Sequence, residues 1–133
     1  MKHILLISLF LLSIFPALRS QEPEYLTPVE FDINYKSEVF AIIIDARIAR
    51  QYRRSRIPEA VGIEKMARLE VFADTMDTET PLYIYCDGES RSRTVAGYLS
   101  EEGFTNMYIL RGGIREWEDA GLPMDKKRLR HQR

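Results

Sequence analysis

The stretch PLYIYCDGESRSRTVAGYLSEEG, Pro81–Gly103, changes its periodicity halfway along. Pro81–Tyr85 is a continuous apolar and aromatic run, as a strand buried on both faces requires. From Ser92 onward, Val95, Ala96 and Leu99 fall on one helical face, and Gly103 supplies the stop. The polar residues Cys86–Arg91 lie between. A buried strand that turns through a short loop into a helix is half of a crossover unit, which returns the chain to a parallel neighbour.

The flanking sequence alternates in the same way. Thr27-Pro-Val-Glu30 is a capping box, with Thr27 as N-cap, Pro28 at the first helical position and Glu30 reaching back. It predicts a short helix from Pro28 to about Tyr35. VFAIIID, Val39–Asp45, is a second buried strand and ends in an acid. ARIARQYRRSRIPEA, Ala46–Ala60, is polar and basic and reads as a loop with one helical turn. Ala60–Ile63 reads as a brief strand. Glu64–Met76 places Met66, Leu69 and Phe72 near helical spacing and reads as a helix. Asn106–Leu110 is a further strand. Two glycines, Gly112 and Gly113, then lead into a short helix that carries Trp117, with Gly121 as C-cap and Pro123 as stop. Gln21–Leu26 reads as a loose lead-in. The expected fold is α/β, a parallel sheet with helices on both faces in one domain. Ligands of such sheets sit beyond the carboxyl ends of the strands, where Asp45 and Cys86 both fall.

The chain has 133 residues, 45% hydrophobic and 29% charged, which suits one globular domain. Residues 1–20, MKHILLISLFLLSIFPALRS, depart from that composition. Lys2 and His3 precede an apolar run from Ile4 to Phe15, and Pro16 follows. This is the make-up of a secretory signal peptide, and the run is short of the roughly 20 residues of a membrane span. The expectation is an exported protein, periplasmic or secreted, cleaved after Ser20 and without a stable membrane span afterwards. The alternative is a retained N-terminal membrane anchor. Residues 1–20 hold Lys2 and Arg19 and no acid, so 17 of the 19 basic and all 20 acidic residues remain, a net charge of −3. That balance argues against nucleic acid as a partner. DKKRLRHQR, Asp125–Arg133, reads as a solvated basic tail.

Cys86 is the only cysteine. It cannot pair within its own chain, so it is an idle buried thiol, an intermolecular partner or a reactive group. If the amides of Asp87, Gly88, Glu89, Ser90 and Arg91 curl around the sulfur, and the next helix points its N-terminus there, the sulfur sits in positive potential. Arg91 adds a fixed charge and a planar donor fork. A thiolate held this way is a nucleophile, and its cradle will also hold an anionic substrate. Against this, a cysteine ending a buried strand is often a small hydrophobe. The two histidines are His3 and His131, so residues 21–130 supply no Cys–His pair and no histidine-bound metal. Trp117, Tyr83 and Tyr85 read as packing residues. Arg47, Arg50, Arg53, Arg54 and Arg56 either rim the site or form a solvated loop.

Three segments carry a family resemblance. IIIDAR, Ile42–Arg47, is similar to the apolar strand ending in D-x-R of the single-domain rhodaneses, sulfurtransferases that carry sulfur as a cysteine persulfide. CDGESRS, Cys86–Ser92, is similar to their active-site loop, close to C-x-x-G-x-R-S. Gly103–Pro123, GFTNMYILRGGIREWEDAGLP, is similar to their closing strand, double glycine, tryptophan helix and G-L-P end. The resemblance implies a rhodanese-like domain over residues 26–124. It implies Cys86 as nucleophile and persulfide carrier, Asp87–Arg91 as its cradle, and Asp45 and Arg47 as support at the site edge. It also implies a reaction in two halves. A donor such as thiosulfate, a persulfide or a partner protein gives sulfane sulfur to Cys86, and a thiophilic acceptor, such as cyanide or a thiol, removes it, with no metal or organic cofactor required. The related dual-specificity phosphatases carry C-x5-R, whereas Arg91 here completes C-x4-R.

Departures from the family pattern set further expectations. Glu89 stands where the loop has glycine, and Gly88 is one position early, so a backbone needing positive φ would be strained. Ser55, Arg56 and Glu59 occupy the glycine, histidine and glycine places of a G-H-I-P-G-A segment. Asp87 and Glu89 beside the sulfur weaken the attraction for a dianion such as thiosulfate. The alternative to an enzyme is a non-catalytic rhodanese-like module that binds a protein or an anion. A thiol redox partner is a third reading, which lacks a resolving thiol.

Overall fold

The computed structural model describes residues 22–126. The elements are β1 Glu24–Leu26, α1 Pro28–Ser37, β2 Ile42–Asp45, α2 Ala49–Arg54, β3 Ser55–Arg56, β4 Val61–Gly62, α3 Met66–Thr75, β5 Leu82–Tyr85, α4 Ser90–Glu101, β6 Met107–Leu110, α5 Gly113–Asp119 and β7 Asp125–Lys126. The signal-like residues 1–20 and the tail beyond Lys126 lie outside the described residues. Among the described residues no helix is long and apolar enough to cross a membrane.

The main sheet has five strands in the order β1-β6-β5-β2-β4, all parallel. β5 lies at its centre, and all four of its residues are buried. Alternation along the strands divides the core. Tyr83, Tyr85, Ile43 and Leu110 face α1 and α5, where Phe31 and Trp117 pack. Leu82, Ile84, Ile44 and Ile109 face α3 and α4, where Leu69, Ala96 and Leu99 pack. Phe31 meets Tyr83 and Trp117 edge to face, at centroid distances of 5.2 and 6.0 Å. The Trp117 indole N–H donates to the Pro123 carbonyl at 2.9 Å, so it anchors the α5 turn. This is the α/β architecture with helices on both faces that the alternation predicts.

The capping box forms as read: the Glu30 amide donates to Thr27 Oγ1 at 3.3 Å, and the Thr27 amide to Glu30 Oε2 at 2.9 Å. The Thr27 amide, and after it the Thr27 hydroxyl, hold the Glu30 carboxyl below its ordinary range.

Four expectations need correction. Glu24–Leu26 is not a loose lead-in but edge strand β1, paired with Tyr108–Leu110 of β6. The strand expected from Val39 begins at Ile42. Phe40 adopts φ +63°, and Val39 and Phe40 are 74% and 87% exposed, so their apolarity marks an exposed turn rather than a strand. The helix after the cysteine starts at Ser90, two residues before the expected start at Ser92. Asp125 and Lys126 are not frayed; they form β7, antiparallel to β3 with Ser55 opposite Lys126.

Candidate active site

Cys86 follows β5 at the carboxyl edge of the sheet and is 2% exposed. Asp87–Glu89 turn the chain into α4, where Glu89 is the N-cap residue and Ser90 and Arg91 lie in the first helical turn. The first amide beyond the cysteine to find a backbone acceptor is that of Arg93, which donates to the Glu89 carbonyl at 2.9 Å. The N–H groups of residues 87–92 donate to no other group among the described residues. Such a run of free amides leading into a twelve-residue helix has donors from which an anion could accept. Ser92 adds a fully buried hydroxyl with no partner among the described residues.

The double glycine shapes this loop from outside. The Ile114 amide donates to the Cys86 carbonyl at 3.0 Å, and the Gly112 amide donates to Glu89 Oε2 at 2.8 Å. Gly113 sits at φ +73°, and a Cβ there would lie 2.3 Å from the Asp87 carbonyl oxygen. Only glycine lets the two backbones approach so closely.

The two loop acids have partners of their own. Besides accepting from Gly112, Glu89 faces Arg93 at 3.3 Å. Its φ is −129°, a value any residue adopts, so the strain expected at this position is absent. Gly88 has no positive φ either. Asp87 Oδ1 accepts from the Gln51 side-chain amide of α2 at 3.1 Å. The strain in fact lies at Glu59, in a family glycine place, where φ is +69° and the Tyr35 hydroxyl donates to the carboxylate at 2.8 Å.

Asp45 and Arg47 form a buried pair beneath the loop. Asp45 is fully buried and stands opposite Tyr85, the residue before the cysteine. Its carboxylate accepts from Arg47 Nη2 at 2.8 Å, from the Arg47 amide at 2.9 Å and from the Tyr85 hydroxyl at 2.6 Å. Arg47, 5% exposed, also donates to the Ser55 carbonyl at 2.6 Å. Burial alone would push the Arg47 guanidinium down, but the hydrogen bonds and charge of Asp45 outweigh it and hold it up. Burial, then the Asp45 charge, raises the Tyr85 hydroxyl far above its ordinary value. Tyr85 is therefore a hydrogen-bond donor at any working pH, and more than the packing residue its strand position suggests.

Arg91 is exposed and lines a cavity of about 230 Å³ with Ala46, Ile63, Lys65 and Thr94. Among the described residues no cluster of three or more His, Cys, Asp or Glu side chains could hold a metal. Gln51, Tyr85, Gly113 and Ile114 are the site residues that local sequence reading missed. The Gly112–Gly113 doublet was the one signal that pointed to any of them.

Comparison with known proteins agrees with this geometry. The model of the rhodanese-like domain matches residues 27–120. A thiosulfate sulfurtransferase GlpE of Actinobacillus succinogenes is 35% identical over 85 residues, which is 64% of this chain and 76% of that protein. The solution structure of a rhodanese-like domain from Anabaena sp. superposes with a TM-score of 0.70 at 20% identity, covering 85% of this chain and 88% of that one. A rhodanese-like domain protein of Staphylococcus aureus gives a TM-score of 0.64 at 25% identity, over 78% and 98% of the two chains. With its family model spanning most of the chain and a buried cysteine ending the central strand, this protein belongs to the rhodanese-like domain family.

Proposed function

We propose that the protein is a sulfurtransferase that carries sulfane sulfur as a persulfide on Cys86. The observation that supports this most is the run of unpartnered amides at residues 87–92 directly after the cysteine. Their donors suit the negative charge of a thiolate, then of a persulfide. In the first half-reaction the Cys86 thiolate attacks the sulfane sulfur of the donor. A new S–S bond forms, the donor's bond to that sulfur breaks, and the electron pair leaves with the donor remnant, sulfite when the donor is thiosulfate. In the second, a thiophilic acceptor attacks the outer sulfur and Cys86 leaves as thiolate. The C-x4-R loop fits a single sulfur rather than a phosphate.

The 2% exposure of Cys86 favours the second reading, a non-catalytic binding module. Mass spectrometry after incubation with thiosulfate or a small persulfide separates the two. The expected result is an adduct of about 32 Da, one sulfur atom, on the wild type and none on Cys86→Ser. No adduct with any donor would leave the binding module standing.

The donor we propose is less charged than thiosulfate, either a small persulfide or a partner protein. Glu89 is drawn to Gly112 and Arg93, so Asp87 is the acid whose charge bears on an incoming dianion. A unit charge near a dianion costs on the order of 1 kcal/mol in water, roughly fivefold in affinity. Asp87→Ser is therefore expected to lower KM for thiosulfate about fivefold with kcat unchanged. An unaltered KM in steady-state assays would remove the charge argument.

A further inference from the structure

We propose that a groove outside β4 docks an acidic, extended segment of the protein whose thiol accepts sulfur from Cys86. This rests on the sulfurtransferase reading above and names the acceptor class. Among the described residues β4 ends the sheet, with β2 on one side and no strand on the other. A cavity of about 770 Å³ runs along that free edge between α2 and α3. An unpaired edge offers backbone donors and acceptors to an added strand.

The lining is apolar in its floor and cationic at its rim. Val61 and Val71 are 37% and 62% exposed there. Arg53, Lys65 and Arg68 line it, are exposed, and take part in no ion pair among the described residues. The single acid of the lining, Glu64, accepts from the Ala49 amide at 3.0 Å. The acids of α3, Glu70 and Asp74, are not part of the lining, whereas Arg68 of α3 and Lys65 at its N-cap are. Three free cations over exposed valines complement a segment that alternates acidic and apolar residues.

The groove also leads to the cysteine loop. Glu64 and Lys65 line both this groove and the smaller cavity that Arg91 and Ala46 border. The Ala46 amide donates to the carbonyl of Tyr85, the residue before Cys86. α2 lines the groove through Arg53 and touches the loop through Gln51. In this proposal a docked chain runs from the groove toward Arg91 of the cysteine loop, where its thiol meets the persulfide. Its thiolate attacks the outer sulfur, the acceptor becomes the persulfide, and Cys86 departs as thiolate with no net oxidation. Nucleic acid fits less well. The one aromatic ring of the lining, Tyr52, is covered by the Arg56 guanidinium at 4.7 Å and by Gly62, which leaves no open stacking platform.

The test uses the full chain and two fluorescein-labelled peptides that end in cysteine, one alternating Glu and Val, the other Lys and Val. Fluorescence anisotropy should show the acidic peptide bound and the basic one not. Arg53→Glu/Arg68→Glu should weaken the acidic peptide about tenfold, and Arg53→Gln/Arg68→Gln less, with both wild-type and residual binding falling as salt rises. In turnover, the charge reversal should raise KM for the peptide thiol about tenfold and leave transfer to cyanide unchanged. Equal binding of the two peptides, an unaffected double variant, or displacement of the peptide by a single-stranded oligonucleotide at lower concentration would overturn the proposal. If Cys86 takes no sulfur from any donor while the acidic peptide still binds, the sulfurtransferase reading fails and the docking groove survives. The two failures are thus separable.

Discussion

Cys86→Ser is expected to lower sulfur transfer at least about 10³-fold, to the uncatalysed background, because a nucleophile that forms the covalent intermediate has no substitute. The argument needs the rest of the site to stay in place, and the structure supplies reasons for that. The loop is held through backbone groups: the Cys86 carbonyl accepts from Ile114, and Gly113 packs on the Asp87 carbonyl. Serine keeps both. It also keeps the free amides of residues 87–92, so anion binding should persist while transfer stops. The measurement pairs steady-state transfer with chemical denaturation. Stability should stay within about 1 kcal/mol of wild type, since the change is one buried atom of similar size. More than a tenth of wild-type activity in a folded serine variant would remove Cys86 from the chemistry.

The parts of this site legible in the sequence are those built from near neighbours in the chain. The strand–cysteine–loop order, the D-x-R pair and the glycine doublet each lie within one short segment. Asp45 and Arg47 bond across two residues, and the same segment that names them contains both partners. The hidden parts come from distance along the chain. Gln51 reaches Asp87 across 36 residues, and Glu89 reaches Gly112 across 23. Nothing local shows that Glu89 is engaged by Gly112 and Arg93 while Asp87 meets only a neutral amide, so counting both charges in the loop overstated what a substrate would meet.

The fold shows the same division. The central strands are visible because burial on both faces writes a continuous apolar run. β1 is three residues at the sheet edge, made by pairing with a segment more than eighty residues away, and its own composition carries no strand signal. The start of α4 at Ser90 was missed because apolar periodicity begins only where a helix meets the core. Its first turn, Ser90 and Arg91, faces outward. That outward turn is what leaves Arg91 at the cavity it shares with Ala46 and Lys65.

Asp45→Ala should be the most damaging single change to stability, about 3–5 kcal/mol. The carboxylate is fully buried and satisfies three groups at once: the Arg47 guanidinium, the Arg47 amide and the Tyr85 hydroxyl. Alanine removes their common acceptor and leaves a 5%-exposed guanidinium without its counter-charge. The Ser55 carbonyl, its remaining partner, carries no net charge to replace it. Tyr85 adds a second loss. Its hydroxyl still accepts from the Ile57 amide at 3.1 Å but no longer has an acceptor for its own proton. Because β5 ends there, the disturbance reaches the residue before Cys86, so transfer should fall as well. Denaturant midpoints of Asp45→Ala, Arg47→Ala and the double variant decide the cause. If the cost is an uncompensated buried cation, Asp45→Ala/Arg47→Ala will be less destabilised than the sum of the two single changes, by roughly 1–3 kcal/mol. Strict additivity would mean that the pair is not coupled and that the loss is one of packing alone.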